Sequence, residues 1–197
     1  MPNAMLESSG ENSIRLYTVG HSNHNIEDFL SILKAFEIRS LIDVRSLPSS
    51  TRYPQFDQQF LEAKLLQHGI TYHWFQDLGG WRKGLGEDSP NKGLHEGGFR
   101  NYADYMLTDD FHTAAGRALG IARVRTTTIM CAEKDYTRCH RQYLSDYLVL
   151  HGAKVLHIQN ESNAIHHLRT KHAAETQDHK LIYPPHNDPG QDLLFEP

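Results

Sequence analysis

The stretch "MCAEKDYTRCHRQYL" (130–144) carries both cysteines of the chain, together with Glu133, His140 and two arginines. An apolar run ends there and a helical pattern begins, so Cys139 is read as the second residue of a helix capped by Thr137. A thiol at that point feels free backbone N–H groups and the positive end of the helix dipole. Arg138, His140 and Arg141 add positive charge, and each effect favours thiolate over a thiol of ordinary pKa, about 8.5. An activated nucleophile requires that setting. The alternative is a half-buried cysteine of ordinary reactivity. Cys131, inside the apolar run, reads as a small core residue. A helix start between arginines also suits a phosphate. A cysteine phosphatase with a Cys-x5-Arg cradle is disfavoured, because neither cysteine has an arginine at that spacing.

Other groups of chemical interest follow apolar runs. "GHSNHN" offers His21, Ser22 and His24. Gly20 would allow close approach of a ligand, and His21 could move a proton near neutral pH. Asp43 and Arg45 alternate along "SLIDVR" and so share a face. They read either as a structural ion pair or as an anion-binding arginine oriented by a carboxylate. Arg45 and Arg52 flank "SLPSST", a polar loop able to hold a phosphate. Glu133 would serve as a general base if partial burial raised its pKa. Residues 76–98 form a long glycine-rich stretch in which Trp81 stands beside Arg82 and Lys83, a stacking surface next to positive charge. A lid over any small substrate fits that stretch equally well. No P-loop or dinucleotide fingerprint is present. His21, His24, Cys131, Cys139 and His140 include enough zinc ligands, but their spacing matches no standard zinc motif. A metal is not favoured, and the cofactor is left unknown.

The elements that must position these groups alternate. Strands are read at 15–20, 40–45, 70–75, 126–132 and 153–158, and helices at 25–37, 57–69, 99–107, 110–122 and 139–152, with a weak helical pattern over 161–175. Such alternation implies crossover connections, hence a single α/β domain with a mainly parallel sheet of about five strands and helices on both faces. In such sheets the ligand site lies outside the carboxyl ends of the strands. The groups above should therefore converge on one edge.

Composition bounds the function. The chain of 197 residues suits one domain, read as 14–175 between a flexible N-terminus (1–13) and a disordered C-terminal tail (176–197). A net charge of −4 argues against coating nucleic acid by bulk charge. Two cysteines, no signal-like leader and no apolar stretch near the roughly 20 residues of a membrane span point to a reduced, cytoplasmic protein without a membrane partner. Histidine is abundant, at fourteen copies. The later ones (His166, His167, His172, His179, His186) lie mostly in polar sequence and read as a solvated tail. Oligomeric state is left open.

The blocks "YTVGHSN", "LIDVRSLPSS", "LGGWR", "YADYM", "MCAE…CHR" and "HGAKVLHI", in that order from Leu16 to Ile158, closely resemble the domain-of-unknown-function 488 family. The resemblance supports one domain and implies no activity. The spacer "KDYTR" departs from the proline expected there in many relatives. The expectation is an enzyme with Cys139, His21, Glu133, Asp43 and His140 as catalytic candidates. Arg45, Arg52, Trp81, Arg82, Arg141 and Ser22 would bind a phosphate-bearing small molecule or nucleic acid. The reaction would be a cysteine- or His/carboxylate-dependent hydrolysis or transfer. A non-catalytic nucleotide- or nucleic-acid-binding module, or a metal-dependent hydrolase, are the alternatives.

Overall fold

The computed structural model describes residues 14–185. Its central sheet has six strands: β1 (Ile14–Gly20), β2 (Ser40–Asp43), β3 (Thr71–Trp74), β4 (Thr127–Cys131), β5 (Ala153–Asn160) and β6 (Asn163–His166), in the order β3-β2-β4-β1-β5-β6. The first five are parallel, and β6 returns antiparallel along β5. The mainly parallel α/β domain read from the alternation is the observed architecture. Because β4 inserts between β2 and β1, the carboxyl ends of these three strands are neighbours.

Two helical layers cover the sheet. On one face lie α1 (Ile26–Ala35) and α2 (Gln58–Gln67), burying Phe29, Leu33, Leu61 and Leu65 against Tyr17, Val19, Leu41 and Met130. Side-chain caps start both helices, Asn25 accepting from the Asp28 amide and Asp57 from that of Gln59. The other face is covered by α3 (Gly98–Tyr105), α4 (Asp109–Val124) and α5 (Arg141–Leu150). Tyr102, Phe111, Leu144 and Leu148 pack there with Leu16, Ile42, Ile129 and Val155. Alternation along each strand assigns side chains to the two layers. Cys131 and Thr18 follow Ile129 and Leu16 to the α3–α5 side, while Asp43 follows Leu41 to the α1–α2 side.

Three expectations are corrected. The weak helical pattern over 161–175 is β6 and turns, followed by β7 (Ala174–Glu175), which pairs with β8 (Leu181–Ile182). Within the expected C-terminal tail, residues 176–185 pack onto the domain, with Leu181 and Tyr183 each 2% exposed. The remainder, 186–197, and the N-terminal 1–13 lie outside the described residues. Finally, the glycine-rich stretch is pinned rather than loose. The buried Asp104 accepts from the Leu85 amide (2.8 Å), Ser89 Oγ (2.5 Å) and Asn91 Nδ2 (2.8 Å). Asn91 Oδ1 in turn accepts from the Tyr183 amide at 2.9 Å. Among the described residues, no helix is long and apolar enough to cross a membrane.

Candidate functional site

Two adjoining hollows of about 500 and 480 Å³ open at the carboxyl ends of β1, β2 and β4, sharing Gly80, Trp81, Cys131, Glu133 and His140. A larger one of about 680 Å³ lies at the opposite end of the strands, around Arg15, Arg123 and Arg125, and neither a cysteine nor a histidine lines it. The expected cysteine and histidine candidates therefore line the first pair. Glycine shapes its walls. A Cβ on Gly20 would lie 2.0 Å from the Glu133 carbonyl oxygen, and one on Gly80 2.5 Å from His140 Nδ1. These glycines let the end of β1 and the Trp81 loop approach closely.

The expected groups reach this edge but divide between the two faces of the sheet. On the α1–α2 side, Arg45 is enclosed by its own partners. Its Nε and Nη2 donate to Asp43 (Nη2 to Oδ2 at 2.6 Å), Nη2 also to Pro48 O (3.2 Å), and Nη1 to Phe56 O (2.9 Å). Tyr72 Oη donates to Asp43 Oδ2 at 2.7 Å. Burial, then the Asp43 carboxylate, pushes the Tyr72 hydroxyl up. The structural-pair alternative thus describes Asp43 and Arg45. They hold the 48–56 loop in place, and the guanidinium has no N–H left over for an incoming anion.

His21 completes this network. Its Nδ1 donates to Ser22 O (3.0 Å), Nε2 lies 3.4 Å from Arg45 Nη1, and the ring stacks on Phe56 at 4.2 Å. Burial, reinforced by the Arg45 charge, lowers its pKa from 6.5 to about 4. Both ring nitrogens are engaged, and the lowered pKa favours the neutral ring. Ser22 lines the hollow and donates to Asn23 Oδ1 (3.2 Å). Glu133 is exposed, so the burial its expected role required is absent. Its Oε1 caps the turn by accepting from the Asp135 amide at 3.0 Å.

On the α3–α5 side the cysteines meet. Asp135 caps a short 3-10 turn at Tyr136–Arg138. Cys139 follows in extended conformation (φ −133°, ψ 149°), and α5 starts only at Arg141. Cys139 therefore stands outside the helix, contrary to the Thr137-capped reading. A side chain rather than the helix start supplies its nearest positive charge. Cys131, read as core, lies at the hollow with its sulfur within 4.8 Å of both Cys139 Sγ and a ring nitrogen of His140. His140 Nδ1 is 3.7 Å from Cys139 Sγ, and its Nε2 is buried without a partner.

Arg141 is 1% exposed and points inward instead of toward a ligand. Its Nε donates to Cys139 Sγ at 3.4 Å, Nη1 to Thr18 Oγ1 at 3.4 Å, and Nη2 to the Glu133 and Lys134 carbonyls. Among the described residues no carboxylate pairs with it. A buried guanidinium at the amino end of a helix, where the dipole opposes it, calls for an anion. The group in reach is the Cys139 sulfur. The Cys131 thiol as donor, with His140 and Arg141 beside it, lowers the Cys139 pKa well below the thiol range. Hydrogen bonding to Cys139, together with burial, pushes Cys131 well above it. Both shifts favour the proton on Cys131 and the negative charge on Cys139.

Behind Arg141 runs a buried array that the sequence did not disclose. Thr18 Oγ1 lies 2.6 Å from His157 Nδ1, His157 Nε2 lies 2.9 Å from His167 Nδ1, and His167 Nε2 lies 2.7 Å from Asp146 Oδ1. Tyr183 Oη donates to Asp146 Oδ2 at 2.8 Å. Donation can run in one direction, from Arg141 through Thr18, His157 and His167 to the carboxylate. Burial, with His167 and Arg141 nearby, lowers the His157 pKa from 6.5 to about 3. Tyr136 stacks flat on His157 at 3.5 Å. His167, whose polar neighbours in sequence read as a solvated tail, is buried.

The outer rim is cationic. Arg52, Lys134 and Arg138 are exposed and line the two hollows. Trp81 is 78% exposed, with its amide held by Ser46 Oγ at 3.1 Å. Arg82 is turned away onto the Gly79 and Gln76 carbonyls and lies 3.9 Å from the centre of the Tyr105 ring. Cys131, Cys139 and His140 are the group of three that could hold a metal among the described residues, although the Arg141 cation already neighbours Cys139 Sγ.

No curated protein and no solved structure matches the chain. One family profile does, the domain of unknown function DUF488, over residues 25–148. The matched span takes in Asp43, Arg45, both cysteines, His140, Arg141 and Asp146, and stops short of His21, His157 and His167. By that match, over more than half its length, the chain belongs to the DUF488 family.

Proposed function

We propose that this protein is a cysteine-dependent enzyme that transfers or hydrolyses a group on an anionic, phosphate-bearing substrate. The observation that carries the reading is the buried Arg141, whose nearest available anion is Cys139 Sγ. A thiolate kept in a hollow beside a histidine is arranged for nucleophilic catalysis. The Cys139 Sγ lone pair forms the bond to the electrophilic centre, and the leaving group departs with the bonding pair. His140, beside the sulfur, is the group best situated to move the proton. Water or an acceptor then resolves the covalent intermediate. Arg52, Lys134 and Arg138 at the rim favour an anionic substrate, and the exposed Trp81 offers a face for a nucleotide base.

The test is intact-mass analysis after incubation with nucleotides, phosphate monoesters and short single strands, alongside product detection. A substrate-derived adduct on Cys139 and turnover lost in Cys139→Ser are expected. Cys139→Ser turning over an identified substrate at the wild-type rate overturns the reading. The second reading, a binding module without chemistry, draws on Trp81. It predicts that Cys139→Ser leaves nucleotide affinity intact, that Arg52→Ala weakens it, and that the wild type gives no product.

A further inference from the structure

We infer that Cys131 and Cys139 form a reversible redox couple, in which a hydroperoxide oxidises Cys139 and Cys131 closes an intramolecular disulfide that silences the site. The inference rests on the same Cys139 thiolate as the enzyme reading but needs no substrate of that enzyme. Both cysteines are free and nearly buried, at 9% and 4% exposed, and their sulfurs lie within 4.8 Å of one another. The pair is asymmetric. Cys139 has the Arg141 Nε at 3.4 Å and His140 Nδ1 at 3.7 Å, whereas Cys131 sits at the end of β4. The first is the attacking sulfur and the second the resolving one.

Closure requires the sulfurs to move from within 4.8 Å of one another to bonding distance. The connection between them, residues 132–138, is exposed except at the half-buried Tyr136, and Asp135 caps its 3-10 turn. A metal is a poorer occupant, because the Arg141 guanidinium already places positive charge against Cys139 Sγ.

The chemistry balances. The Cys139 thiolate attacks the terminal oxygen of the hydroperoxide: the S–O bond forms, the O–O bond breaks, and an alkoxide or hydroxide leaves and takes up a proton. The Cys131 sulfur then attacks the sulfenic sulfur. The S–S bond forms, the S–O bond breaks, and hydroxide departs as water with the Cys131 proton. Two electrons pass from the dithiol to the peroxide, and an external thiol reverses the process. Oxidation removes the anion that Arg141 faces, so the nucleophile and its counter-charge are lost together.

The experiment uses the full chain, reduced, freed of reductant and chelator-treated, then exposed to hydrogen peroxide. Intact mass and non-reducing peptide mapping should show a loss of about two mass units and a Cys131–Cys139 cross-link, reversed by dithiothreitol. Cys131→Ser should stop at a sulfenic acid on Cys139 that dimedone traps roughly tenfold more than in wild type. Sulfinic acid forming at Cys139 as fast in wild type as in Cys131→Ser overturns the couple. So does cross-linking between chains only, or a tightly held equivalent of zinc that shields both thiols. Separate alkylation with iodoacetamide distinguishes the two proposals. Wild type that alkylates at Cys139 in mildly acidic buffer yet forms no disulfide overturns the couple alone. Absence of that low-pH alkylation overturns the shared thiolate and with it both.

Discussion

Replacing Arg141 by methionine keeps length and apolar volume while removing the cation whose hydrogen bond reaches Cys139 Sγ. Two unit charges 3.4 Å apart attract by about 5 kcal/mol at an effective dielectric of about 20. Hydrogen bonds to charged groups are worth less in practice, about 1.5–3 kcal/mol. With the lower range, Arg141→Met should leave about ten- to a hundredfold less Cys139 thiolate at a fixed pH below its midpoint. The assay is the rate of iodoacetamide alkylation across pH, resolved by peptide mapping so that Cys131 is scored separately. The variant also strips a donor from Thr18 and from the Glu133 and Lys134 carbonyls. Melting is therefore followed in parallel, and alkylation is measured well below the transition. Arg141→Lys, which keeps a cation without the fork, should fall between the two proteins. A rate–pH curve for a folded Arg141→Met protein that overlays the wild type would refute the assignment of Arg141 as the thiolate's counter-ion.

Acid should destabilise the protein through His21 and His157. Their folded pKa values, about 4 and about 3, lie below the ordinary 6.5. The unfolded chain takes up these protons first as pH falls through 6.5, so stability is complete above that value and declines toward pH 4. Each histidine contributes a loss of about 2 kcal/mol between about pH 7 and 5, and urea unfolding of His21→Gln should show a shallower acid limb. Asp146→Asn removes the charge and turns one of the two oxygens that accept from His167, Thr170 and Tyr183 into an amide donor facing a donor inside the core. It should cost about 2–4 kcal/mol by denaturant unfolding. Gly20→Ala drives a Cβ to 2.0 Å from the Glu133 carbonyl. It should lower stability by about 3 kcal/mol and slow Cys139 alkylation by disturbing an Arg141 acceptor.

The sequence by itself determined the alternating elements, their parallel pairing and the edge at which the site forms. These follow from local periodicity, and parallel strands place all their carboxyl ends together. It also marked Cys139 and the residues flanking it, because a cysteine between arginines is visible within a few positions. Where the side chains point was decided by the tertiary structure. Arg45 and Arg141 look alike as ligands for an anion, yet each turns inward, one onto Asp43 and the other onto Cys139. The insertion of β4 between β2 and β1 settled which groups became neighbours, and strand alternation sent Asp43 and Cys131 to opposite faces. Cys131 belongs to the core, as its apolar run implies, and the same arrangement brings its sulfur within 4.8 Å of the Cys139 sulfur. His157, His167, Asp146 and Tyr183 join one buried array across up to 37 residues of chain. A histidine in a polar segment reads as solvated until a distant carboxylate and a covering strand remove it from water. That removal requires the folded chain, since burial is a property of contacts between segments and not of any one of them.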